Sequence, residues 1–106
     1  AAKLAPVVDG YQVVEMSVSG LDYFPHQFVI QEGIPVKWII DGSMARGCGQ
    51  ILTMPSHDIF VQLKAQENTV IEFTPTTTGE LPFHCSMAMT TPNAKFTVVE
   101  KNEKDV

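Results

Sequence analysis

Apolar residues recur at every second position along most of this chain. In YQVVEMSVSG, from Tyr11 to Gly20, Val14, Met16 and Val18 share one face, which predicts a first strand that turns at Gly20. LDYFPHQFVIQEG places Pro25 ahead of a short strand with Phe28 and Ile30 on one side and Val29 on the other, ended by Gly33. In IPVKWIID, Val36 and Trp38 alternate with Lys37 and Ile39, and the Asp-Gly pair at 41 and 42 is expected to close the strand. DIFVQLKA reads as a strand and QEN as a turn. TVIEFTP reads as a strand with Ile71 and Phe73 inward, and TTTGE as a turn. In AKFTVVE, Phe96 and Val98 alternate with Thr97 and Val99. The middle, SMARGCGQILTMPSH, is the least regular part; the two glycines flanking Cys48 predict a loop.

About seven short strands divided by Gly, Pro and Asn turns, with no helical period sustained, predict an all-β fold. The expected form is a two-sheet antiparallel Greek-key sandwich, its core containing Phe28, Trp38, Phe73, Phe83 and Phe96. Residues 1–10 read as a lead-in segment, 11–100 as the domain and 101–106 as a charged, frayed tail. A chain of 106 residues, 44% of them hydrophobic, suits one core and leaves no room for a second.

Charge narrows the partners. Seven basic against twelve acidic residues give a formal charge of -5, and without a basic cluster this argues against nucleic acid. No apolar run approaches a membrane-spanning length, so the chain is expected to be soluble. The N-terminal AAKLAPVVDG is too polar for the hydrophobic region of a signal peptide, which leaves open a leader or membrane partner outside this sequence.

Candidate chemistry gathers between Gly79 and Val98, in GELPFHCSMAMTTPNAKFTV. Period two puts Leu81, Phe83 and Cys85 on one side of a strand and Pro82 and His84 on the other. A thiol therefore reaches the end of an apolar face where a Met-rich loop begins. Met87 and Met89 follow two and four residues after Cys85, so one short loop can offer a thiolate and a thioether to a soft ion such as copper. Met44, four residues before Cys48, is a reserve thioether, whereas Met16 and Met54 read as core fillers. His84 is turned away from Cys85 by strand alternation and becomes a ligand candidate only if the strand ends at Phe83. His26 and His57 read as surface or turn residues. Cys48 and Cys85, an even pair, also fit a disulfide. Neither a serine elbow, a phosphate-binding glycine loop, an HExxH motif nor an identifiable carboxylate pair is present, and an enzyme is not expected.

Two segments resemble the cupredoxin family. YFPHQFVIQEGIPVKWIID is similar to that family's second and third strands, and NTVIEFTPTTTGELPFHCSMAM to its closing turn, penultimate strand and metal-binding loop. A narrower resemblance is to the cupredoxin-like domains attached to bacterial heavy-metal transporters and to sulfite-exporter-like membrane proteins, whose loops read much like FHCSMAM. It implies copper handling in the cell envelope, periplasmic or otherwise extracytoplasmic, with a membrane-bound metal transporter or exporter domain or a copper chaperone as partner. The chain departs from blue copper proteins in having no histidine after Cys85, and at the position of the family's earlier histidine the nearest functional residue is Cys48. The set implied by the resemblance is Cys48, Cys85 and Met89, with His84, Met87 and Met44 behind them. Two thiolates and a thioether favour Cu(I), and with it binding or transfer over rapid electron exchange. The alternatives are a structural or interaction domain closed by a Cys48–Cys85 disulfide, and a mononuclear electron-transfer centre using His84 or His57.

Overall fold

The computed structural model describes residues 4–85 and 93–101, positions 48 and 49 as backbone only. Among the described residues ten strands form in order: β1 (Val7–Val8), β2 (Tyr11–Gly20), β3 (Asp22–Phe24), β4 (Gln27–Gln31), β5 (Val36–Ala45), β6 (Ile51–Met54), β7 (Ile59–Gln62), β8 (Thr69–Phe73), β9 (Gly79–Pro82) and β10 (Lys95–Val99). A five-stranded sheet runs β1-β2-β5-β8 with β3 on β2, a three-stranded sheet runs β4-β10-β9, and β6 and β7 make a separate hairpin. Among the described residues there is no α-helix, and no helix long and apolar enough to cross a membrane.

The five aromatic residues expected inside are all buried between the sheets. Trp38 meets Phe83 and Phe96 edge-on, both at 4.8 Å between centroids, and Phe28 and Phe73 each lie 5.4 Å from Phe96. The edge-to-face pairs, Trp38 with Phe83 and Phe96 and Phe73 with Phe96, set positive ring edges against negative ring faces, which adds to the burial itself. Met16 and Met54 are buried with them, as core fillers should be.

Three details correct the sequence expectation. The sandwich is all-β, but its pairing is mixed: β2 runs parallel to β5, and β10 parallel to β4. Periodicity reports which face a residue takes and carries no information on strand direction. Direction follows from the chain crossing between sheets, from β3 to β4 and back to β5, so that strands distant in sequence become neighbours. Next, the lead-in is built into the fold. The Ala5 N–H donates to the Val29 carbonyl in one sheet, the Val13 N–H donates to Pro6, and β1 pairs with β2 in the other.

Finally, Asp41 and Gly42 do not end β5. Ser17 pairs with Asp41 but Ser19 with Met44, so β5 holds an extra residue opposite Val18, a bulge within a continuous strand. Asp41 accepts a hydrogen bond from the Ser43 N–H at 3.0 Å, a contact usually seen in turns and used in this strand to hold the bulge. The bulge resets the phase. Buried positions run 36, 38, 40, 42 and then 45, so Ala45 turns inward and Met44 is left 57% exposed.

Candidate metal centre

β9 ends at Pro82, yet the alternation outlasts the ladder. Phe83 and Cys85 are buried and His84 is half-buried, as period two requires. The reason is a second support beyond the strand. The Thr53 N–H donates to the His84 carbonyl at 2.7 Å, and the His84 N–H donates back to Thr53 at 3.0 Å, an isolated antiparallel bridge onto β6. Phe83 N–H donates to the Ala94 carbonyl at 3.1 Å, while its ring lies 5.4 Å from Tyr23 and 4.8 Å from Trp38. Cys85 therefore sits at the end of a segment fixed on both flanks, with none of its surface exposed.

Cys48 lies in a 3₁₀ turn, Gly47–Gln50, that leads straight into β6. Gly47 opens it at a φ of 53°, a left-handed conformation that glycine adopts without a Cβ penalty. The antiparallel register through Thr53 and His84 sets Cys85 level with Leu52, four residues after Cys48. The backbone thus brings the Cys48 turn and the Cys85 segment to one edge of the hairpin. Cys85 is disulfide-bonded, and the chain contains one other cysteine, Cys48. The side chain of Cys48 lies outside the described residues, as do Met87 and Met89.

The other candidates are placed as follows. Nδ1 of His84 lies 2.6 Å from the Cys85 carbonyl, and since that oxygen only accepts, Nδ1 carries the proton and a neutral ring keeps its lone pair on Nε2. His57 stands in the 3₁₀ turn Pro55–His57 at the hairpin tip, its ring 5.2 Å from Phe73 and its Nδ1 3.1 Å from the Ser56 hydroxyl. His26 is half-buried, and its carbonyl accepts from the Lys95 N–H at 2.9 Å. Met44 is exposed near the end of β5, three residues before Gly47, which opens the Cys48 turn.

Thr53 is the positioning residue that sequence reasoning missed, because a single backbone bridge between distant segments leaves no pattern in either. Asn93 is another, at a φ of 63°; its carbonyl accepts from Gln27 Nε2 at 3.2 Å where the chain returns to β10. An Asn just before the final apolar run was its visible signal. Among the described residues no three His, Cys, Asp or Glu groups converge. Once freed from the disulfide, the Cys85 sulfur would be a soft donor shielded from water, which fits a soft ion such as copper.

A family model for the cupredoxin-like domain matches residues 2–98. No curated protein matches the chain. Its structure is similar to the metal-binding domain of the Cu(I)-exporting P-type ATPase CopA from Streptococcus pneumoniae, solved with Cu(I), at a TM-score of 0.85 and 26% identity over 94% of this chain and 97% of that one. It is also similar to the solution structure of a copper binding protein in its apo form, at a TM-score of 0.83 and 27% identity over 93% and 98% of the two chains. A reduced amicyanin variant shares the fold at a TM-score of 0.55 and 19% identity, over 88% of this chain and 86% of that one. With a family model spanning nearly its whole length, the chain belongs to the cupredoxin-like domain family.

Proposed function

We propose that this chain is a Cu(I)-handling module of the cell envelope, holding the ion through Cys48, Cys85 and Met89 and passing it to a membrane-bound metal transporter or exporter domain or to a copper chaperone. The observation that carries this reading is Cys85: a fully buried sulfur at the end of the segment bridged to Thr53, in a sequence that continues with two methionines. The similarity to a domain of a Cu(I)-exporting ATPase supports both the ion and the kind of partner. Two thiolates hold the ion by charge and softness, and a thioether adds affinity with no further charge and is readily displaced when the ion moves on. The module is proposed to act outside the cytoplasm and to catalyse no reaction.

The disulfide at Cys85 favours one second reading, a domain whose bridge is purely structural. Titration of the reduced protein with Cu(I) against a competing chelator, without oxygen, separates the two. Cys85→Ser should nearly abolish stoichiometric binding, Cys48→Ser should weaken it strongly, and Met89→Leu should weaken it less because both thiolates remain. Wild type and Cys85→Ser binding alike would defeat the copper reading in favour of the structural one.

A further inference from the structure

Cys85 is disulfide-bonded, and a sulfur in that bond has no thiolate to give to a metal. We propose that the Cys48–Cys85 disulfide and the copper site are alternative states of one sulfur pair, so that reduction by a dithiol opens the domain to Cu(I). This rests on the copper reading above. The direction of the exchange follows from burial. Cys85 is 0% exposed, while Arg46 just before the Cys48 turn, and Gly47 and Gln50 at its two ends, are exposed. A thiolate of the incoming dithiol attacks the Cys48 sulfur, and the electron pair of the broken S–S bond leaves with Cys85 as a thiolate. The second thiolate of the dithiol then attacks the mixed disulfide, leaving the reagent as a cyclic disulfide and freeing Cys48. Two electrons pass from the dithiol to the protein, and its two thiol protons replace those bond partners until Cu(I) displaces them into solvent.

The bridge that holds His84 on Thr53 gives this switch its small scale. Neither backbone hydrogen bond of the bridge involves a cysteine sulfur, so Cys85 stays at the end of its fixed segment in both states. Reduction changes the chemistry of the pair and leaves the scaffold standing.

Two preparations of the full chain test this, one oxidised and one reduced with dithiothreitol and desalted without oxygen, their masses differing by two hydrogen atoms. The reduced form should retain Cu(I) against bicinchoninate and the oxidised form should release it all; renewed dithiothreitol treatment should restore binding. Equal retention by the two forms, with none by Cys85→Ser, would overturn the switch and leave the copper reading standing. Loss of Cu(I) by both forms would overturn the copper reading, and the switch with it. A monothiol, glutathione, trapped with acid during reduction, should be found on the peptide bearing Cys48; recovery on the peptide bearing Cys85 would overturn the order of attack.

Discussion

A Cβ added at Gly42 would stand 2.8 Å from Leu63 Cβ, 3.2 Å from Leu63 Cδ1 and 3.4 Å from the Lys64 carbonyl oxygen. Such crowding at a buried position is relieved only by shifting the segment after β7. Gly42→Ala should therefore lower stability by about 1–3 kcal/mol in urea unfolding, the usual cost of overpacking; an unchanged midpoint would mean that Leu63 yields freely. Beside it, the backbone N–H and then the hydroxyl of Ser43 hold the Asp41 carboxyl below its ordinary range, against a smaller opposing effect of burial. A carboxyl lowered in the folded state adds stability above its unfolded pKa and loses it as pH falls through the folded one. Asp41→Asn should flatten the stability curve below about pH 4, where an unperturbed aspartate begins to titrate. Thermal melts of both proteins across that range would check it, and parallel curves would count against the Ser43 contact.

At the scale of elements, the sequence disclosed faces better than boundaries or partners. β2 was legible from end to end because Val14, Met16 and Val18 share an unbroken phase. β3 was not, since three residues carry too little pattern, and β5 was cut short because an Asp-Gly pair signals a turn more often than a bulge. The parallel ladders were invisible for want of any directional signal. The candidate site divides the same way. Alternation marked Cys85 as the inward end of its strand, whereas its support from Thr53 depends on a hairpin remote in sequence. Because both backbone groups of Thr53 serve His84, its pairing with Phe60 is the type without hydrogen bonds. Thr53→Pro removes the donor to His84 and leaves the hydrogen bonds between β6 and β7 intact. It should keep a β-rich circular dichroism spectrum while weakening Cu(I) retention by about tenfold, equivalent to one hydrogen bond of roughly 1.4 kcal/mol. Wild-type retention would show that the bridge does not position Cys85.

The whole molecule is a sandwich whose aromatic core ends at the site. Phe83 joins the two, touching Tyr23, Phe28, Trp38 and Phe96 on one side and standing two residues before Cys85 on the other. Phe83→Ala should cost about 3–5 kcal/mol, the range for emptying a buried aromatic position. Phe60, 67% exposed, should be replaceable by Ser with little change. Denaturant midpoints for the pair would expose an error if their order reversed. The central claim is that this scaffold presents sulfur alone to the ion, and copper K-edge absorption on the reduced, Cu(I)-loaded chain reads that coordination directly. The account predicts a first shell made only of sulfur. A shell containing imidazole nitrogen, with the outer scattering of a histidine ring, would contradict it and return His84 or His57 to the centre.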